Sequence, residues 1–176
     1  TRAVSIGTNA ETAGENSTAV GDRAKTIGIY STALGATSLA WGHYSIAIGT
    51  QVDQMNRDIA YGTRGYGSMA IGLYTYSHGI YSIAQGQEAR ANYNSSIALG
   101  YQSQANAVKS IAMGDNAQTT GVNSVALGPS AMATFDSTVA LGDNSLANTK
   151  SDVIGFDPLG YASTAYNATK PETLLK

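Results

Sequence analysis

The sequence predicts an all-β fold, a parallel β-roll of about eleven coils of 14 residues each. A five-residue motif that ends in glycine returns eleven times, and eight of the ten steps between successive motif glycines are 14 residues long. Such a regular repeat is typical of a solenoid, in which each coil packs only on its two neighbours. The motif glycines are Gly7, Gly21, Gly35, Gly49, Gly72, Gly86, Gly100, Gly114, Gly128, Gly142 and Gly155.

Each motif predicts a β-strand. In the motif that ends at Gly100, the small residues Ser96 and Ala98 alternate with the large residues Ile97 and Leu99, which is the period of two of a strand. A narrow roll has no room for large side chains, so the small residues face inward and the large ones form an apolar stripe outside. Monomers seldom expose so large an apolar surface, and we therefore expect this stripe to be a self-association interface. Its residues are Ile46, Ile48, Ile71, Ile83, Ile97, Leu99, Ile111, Met113, Val125, Leu127, Val139 and Leu141.

A second strand is expected after each motif. The third and fifth residues after the motif glycine are nearly always Ala, Ser or Thr, as at Ala89 and Ala91, and they too should face inward. Two tight turns then complete each coil. Glycines that recur seven residues after the motif glycine are expected to provide a positive φ in the second of these turns. They include Gly14, Gly28, Gly42, Gly79 and Gly121.

One step of the repeat is longer than the others. From Gly49 to Gly72 the chain has nine extra residues, and roughly residues 51–58 (QVDQMNRD) are expected to project from the side of the rod as a loop. Asp53, Met55 and Arg57 are candidate ligand-binding residues in this loop. The alternative is a tolerated insertion without any partner.

The repeat ends near residue 155, so residues 1–155 are predicted to form one β-roll domain. Residues 156–176 lose the period and contain Pro158 and Pro171. This segment is expected to be a cap or to lead into a neck and stalk.

The motif NSVALG at 123–128 resembles the signature repeat of the YadA-like heads of trimeric autotransporter adhesins, and the resemblance covers roughly residues 1–155. It implies a left-handed roll, three of which join around a threefold axis through the motif strands. The general rule for parallel crossovers would instead give right-handed connections, so handedness and the number three come from the resemblance alone. The sequence departs from the family pattern at Gln85 in the apolar stripe, in the insertion and in lacking a clear neck motif after residue 155.

The resemblance also implies a function. It suggests the head of an adhesin on the bacterial cell surface, displayed from the outer membrane, which binds host extracellular-matrix proteins such as collagen or fibronectin, or host-cell receptors. A passive spacer without a ligand of its own is the alternative.

The outward positions around the second strand become aromatic in the middle coils. Tyr and Trp often anchor protein interfaces, because they bury a large area while few side-chain torsions become fixed. These rings are therefore candidates for a ligand patch. The alternative is that they cover neighbouring coils or meet an adjacent chain. The candidates are Trp41, which ranks first, and His43, Tyr44, Tyr74, Tyr76 and His78.

Composition argues against other classes of function. Only 12% of residues are charged and the net charge is −2, so no basic surface for nucleic acid is expected. No signal peptide, membrane span or direct membrane contact is expected either. His43 and His78 have no acidic partner by spacing, and the acidic residues are scattered, so no enzyme activity, cofactor or metal site is predicted.

Overall fold

The computed structural model describes residues 2–49 and 62–148, and in these ranges all regular secondary structure is β. Two parallel sheets of ten strands each lie back to back, and the chain passes from one sheet to the other at every turn. The motif sheet contains β1 (Val4–Ile6), β3 (Thr18–Val20), β5 (Thr32–Leu34), β7 (Ile46–Ile48), β9 (Met69–Ile71), β11 (Ile83–Gln85), β13 (Ile97–Leu99), β15 (Ile111–Met113), β17 (Val125–Leu127) and β19 (Val139–Leu141). The second sheet contains β2 (Glu11–Thr12), β4 (Lys25–Thr26), β6 (Leu39–Ala40), β8 (Gly62–Thr63), β10 (Tyr76–Ser77), β12 (Arg90–Ala91), β14 (Gln104–Ala105), β16 (Gln118–Thr119), β18 (Met132–Ala133) and β20 (Leu146–Ala147).

Every strand pairs in parallel with the strand one coil away. Ile97 lies beside Ile111, for example, and the Ile97 amide donates to the Ser110 carbonyl over 2.9 Å. This pairing confirms the predicted parallel roll with two strands per coil. The described residues contain ten coils, and the eleventh motif, which ends at residue 155, lies outside them.

The extra residues after Gly49 leave the stack intact. Strand β7 pairs with β9 in the ordinary register, with Ile46 beside Met69, as it does between coils that are 14 residues apart. The predicted loop at 51–58 and the predicted terminal segment at 156–176 lie outside the described residues.

The interior of the roll is filled by small side chains. Ala98 and Ala105, on opposite sheets, are both completely buried, and the largest fully buried side chains in the described ranges are threonines. Both strands therefore point the small residues of the predicted inward positions into the roll, whereas Thr18 and Thr32 lie at outward positions. Because the two sheets approach so closely, larger side chains can only point outward.

The motif serine closes the second turn of each coil. Its Oγ donates to the carbonyl oxygen three residues earlier, as from Ser96 to Tyr93 over 2.6 Å. The sequence predicted only the small size of this residue, whereas its hydroxyl also satisfies a backbone acceptor that the narrow interior shields from water. The hydroxyls in this role belong to Ser17, Ser31, Ser45, Ser68, Ser82, Ser96, Ser110, Ser124 and Thr138.

The prediction of a positive φ at the second-turn glycines was wrong. Gly14, Gly28, Gly42, Gly79 and Gly121 do not have a positive φ. A Cβ at any of them would overlap backbone atoms of the next coil, so close approach between coils selects glycine there. The positive φ lies instead at the motif glycines, at 113° to 138°, and at one residue in each turn, such as Asn16 at 53°.

Candidate ligand-binding and assembly surfaces

The apolar stripe of the motif sheet points away from the interior. All twelve predicted interface residues are half-buried or exposed in the single chain, and exposure reaches 65% at Val139 and 69% at Leu141. In-register pairing aligns them in two continuous rows, as where Leu99 lies beside Met113. Gln85 lies in one of these rows, between Ile71 and Leu99, and is exposed. Self-association through this face remains a prediction.

Three of the predicted ligand residues lie together on the outer face of the second sheet. Trp41 is 46% exposed, and the Arg64 guanidinium carbon lies 5.8 Å from the centroid of its ring, a cation–π contact. Tyr76 lies in β10 and His78 directly follows this strand, and their ring centroids are 3.7 Å apart. Sequence analysis missed Arg64 and also Arg90, which pairs in register with Tyr76. Their outward position in the repeat could have identified them.

The surroundings shift the pKa values of both titratable rings of this face, Tyr76 and His78. Burial, and then the nearby positive charge of Arg64, lower the pKa of His78 to about 4, so its imidazole is neutral near pH 7. Its Nε2 is buried without a hydrogen-bond partner. Burial raises the pKa of Tyr76, while Arg64 and Arg90 act in the opposite direction. The face therefore presents neutral rings between two cations.

A column of tyrosines runs along the second turns. Tyr30 and Tyr44 stack with ring centroids 5.1 Å apart, Tyr44 lies 5.3 Å from Tyr66, and Tyr66 meets Tyr81 edge-on at 5.7 Å. All four are 43% to 61% exposed. Tyr66 was not predicted: Gly67, its neighbour, occupies the position that carries tyrosine in adjacent coils, and the Tyr66 ring continues the column between Tyr44 and Tyr81.

His43 has a structural role in the same turns. Its Nδ1 accepts a hydrogen bond of 2.9 Å from the Ile29 amide of the preceding coil. Asn94 and Asp136 accept equivalent amide bonds in later coils. The turn thus engages Nδ1 of this exposed imidazole and not its Nε2, so His43 has a structural role, and its role as a ligand residue stays a prediction.

The remaining candidates lie elsewhere. Tyr74 is half-buried on the first turn, at the opposite edge of the roll from Tyr44, with a φ of 54°. Asp53, Met55 and Arg57 lie outside the described residues. The structure therefore separates the predicted patch into the face with Trp41, Tyr76 and His78, the edge with His43 and Tyr44, and the distant Tyr74.

Two other kinds of site are absent from the ranges 2–49 and 62–148. There, no three His, Asp or Glu side chains are grouped so that they could hold a metal ion. The same ranges contain no helix of the length and apolarity needed to cross a membrane.

Comparison with known proteins gave one family and one fold. The family model for the YadA head domain repeat matches residues 1–24, 27–51, 94–117 and 120–145, which together are more than half of the chain. Among solved structures, the crystal structure of the collagen-binding domain of the Yersinia adhesin YadA is similar, with a TM-score of 0.70 and 24% sequence identity over 99% of this chain and 97% of that one. At this identity the likeness shows the fold. No curated protein sequence matched.

Proposed function

The chain belongs to the YadA head-domain family, and on that premise we propose that it is the ligand-binding head of a trimeric adhesin displayed on a bacterial cell surface. Its ligand is a matrix protein or a receptor of the host, bound through the outer face of the roll. The family is one of adhesin structural domains, and the function proposed here is adhesion without catalysis.

The observation that supports binding is the set of exposed rings on one rigid part of the rod. Trp41 and Tyr44 lie three residues apart on one coil, where the outer face of the second sheet meets the tyrosine column, and both are about half exposed. A spacer needs no such surface, whereas exposed aromatic groups on a rigid scaffold are typical of interfaces. The similar Yersinia domain is named for collagen binding, and collagen is therefore the first ligand to test.

The apolar stripe supports self-association of the chain, and the number three comes from the resemblance to trimeric adhesin heads. Its two rows of Ile, Leu, Val and Met side chains need a partner surface, and the motif strands supply the same surface on every copy. Burial of this face would leave the second sheet and the tyrosine column accessible on each chain.

The test is binding of the purified chain to immobilised collagen and fibronectin, measured by biolayer interferometry. We expect Trp41→Ala and Tyr44→Ala each to weaken binding by about tenfold or more, as at interface hot spots. Tyr101→Ala is the matched control, because Tyr101 is 44% exposed on the first-turn edge, away from both residues. A third variant that lacks residues 51–58 tests the insertion.

Two results would contradict the proposal. A correctly folded wild-type chain that binds neither matrix protein nor host cells would support the passive spacer. Binding that survives Trp41→Ala, Tyr44→Ala and the deletion would place the ligand on another surface.

A further inference from the structure

We propose that the outer face of the second sheet also binds an anionic polysaccharide, along a track centred on Arg64, Tyr76 and Arg90. This second ligand goes beyond the matrix protein proposed above. It rests on the proposed function only in requiring that this face stays accessible in the assembled head.

The track consists of two rows of outward side chains along the rod. In the first row, Tyr76 pairs in register with Arg90, and Arg90 with Gln104. The second row passes through Trp41, Arg64, His78, Asn92, Asn106 and Thr120, each one coil further along. With about 4.8 Å between coils, these six positions span roughly 24 Å, a length that suits a linear polymer.

Within the part of the chain that the structure describes, no carboxylate offsets the positive charge of this face. Arg64 and Arg90 are both exposed, and neither forms an ion pair with any carboxylate of residues 2–49 or 62–148. The two ion pairs found in those ranges join Arg23 to Asp22 and Lys25 to Glu11, on other coils. Arg64 follows the strand on one side of Tyr76 and Arg90 belongs to the strand on the other side, and both act electrostatically on the Tyr76 hydroxyl. Since His78 is neutral near pH 7, the local charge comes from these two groups.

Guanidinium groups favour oxyanions. Their planar arrangement of N–H donors matches a sulfate or a carboxylate, and charge-assisted hydrogen bonds of this kind are stronger than neutral ones. Two such groups on one face of a protein with a net charge of −2 indicate a local site for anions rather than general attraction.

The rest of the track favours a sugar over an acidic peptide. Trp41 offers a half-exposed ring, whose apolar face can pack against the CH groups of a sugar ring. Beyond Arg90 the track becomes a row of amides: Asn92 donates to Asn106 over 2.6 Å, and Asn106 donates to Gln104 over 3.3 Å. Amides both donate and accept hydrogen bonds, as recognition of many hydroxyl groups requires.

The experiment measures binding of the purified chain to heparin, with chemically desulfated heparin and polyglutamate as comparison probes. We expect wild-type chain to bind heparin in a salt-dependent manner and to bind the other two probes at least about tenfold more weakly. Arg64→Gln combined with Arg90→Gln should weaken heparin binding by about tenfold or more. Arg23→Gln combined with Lys109→Gln removes the same charge from the turns and should change binding by less than about threefold.

Three outcomes would overturn the inference. They are the absence of heparin binding by the folded wild-type chain, an equal loss in the two double variants, and equal or tighter binding of polyglutamate, which would identify an acidic peptide as the partner. Unfolding midpoints of all variants establish that the fold is intact. The same variants are tested on collagen, so a chain that binds collagen but not heparin contradicts this inference while leaving the proposed function standing.

Discussion

Thr63 donates its hydroxyl hydrogen to Oγ of Ser45 over 2.7 Å inside the roll, although the two residues are 18 positions apart. In the regular coils the same pair is nine positions apart, as between Thr26 and Ser17. The difference equals the nine extra residues after Gly49. The interior of this coil is therefore the same as that of its neighbours, and the additional chain is accommodated before Thr63.

Ser45→Ala is expected to destabilise the chain by about 1–3 kcal/mol, because it removes two hydrogen bonds from a buried place. Ser45 Oγ donates to the Gly42 carbonyl over 2.6 Å and accepts from Thr63, which is 1% exposed. Urea unfolding followed by circular dichroism measures the change. Ser95→Ala, at an exposed position, is the control and should have an effect within about 0.5 kcal/mol.

A double-mutant cycle separates the hydrogen bond from the loss of volume. Thr63→Val keeps the shape of the side chain and removes its donor, so in the Ser45→Ala background it should cost clearly less than in the wild-type chain. Strictly additive effects would show that the two hydroxyls do not interact.

Gly100→Ala is expected to cost about 2–4 kcal/mol, since it combines backbone strain with a steric clash. Gly100 has a φ of 127°, and an added Cβ would lie 2.5 Å from the carbonyl oxygen of Gly114 in the next coil. Gln102→Gly in the same turn is the control, because a φ of 53° suits glycine, and we expect a change within about 1 kcal/mol. A Gly100→Ala chain as stable as wild type would show that adjacent coils can move apart.

Much of the fold could be predicted from the sequence because the repeat imposes it. Once Ser96 and Ala98 alternate with Ile97 and Leu99 at a fixed period, the inward and outward faces of each strand follow. The reason for the second-turn glycines could not be predicted, because the contact of Gly28 with Gly42 depends on the distance between coils. Likewise, the sequence identified Trp41 by residue type but not Arg64, whose importance comes from lying beside Trp41 and Tyr76 across the sheet.

The apolar stripe predicts that the chain self-associates in solution, and the resemblance to trimeric adhesin heads sets the expected number of copies at three. Light scattering should give a mass near three times 18.1 kDa, with two rows of apolar side chains buried between copies. Leu99→Asp, in the middle of the stripe, should lower the mass toward that of one chain, because a carboxylate would be buried without a partner. Gln104→Asp, on the other sheet, is the control and should remain trimeric. A monodisperse wild-type monomer would contradict the interface.

His78 should make the stability of the chain depend on pH. Its pKa is about 4 in the folded chain against an ordinary value of 6.5, so between these values the unfolded chain binds a proton that the folded chain does not. The free energy of unfolding therefore falls as the pH drops from 6.5 towards 4, and above 6.5 this loss is absent. Since the ring is only partly buried, solvent screening reduces the effect. We expect the free energy of unfolding to fall by about 1 kcal/mol, which lowers the unfolding midpoint by roughly 2–4 °C.

The comparison that isolates this effect is with His78→Gln, which cannot titrate. Carboxylates contribute to acid unfolding in both chains, so the difference between their midpoints, measured above pH 6.5 and near pH 4, reports His78 alone. We expect the unfolding midpoint of His78→Gln to rise relative to that of the wild-type chain as the pH falls. A difference that stays constant over this range would mean that the imidazole is protonated without cost, by turning its Nε2 outward to water, and that the face with Trp41 and Tyr76 is less rigid than its packing indicates.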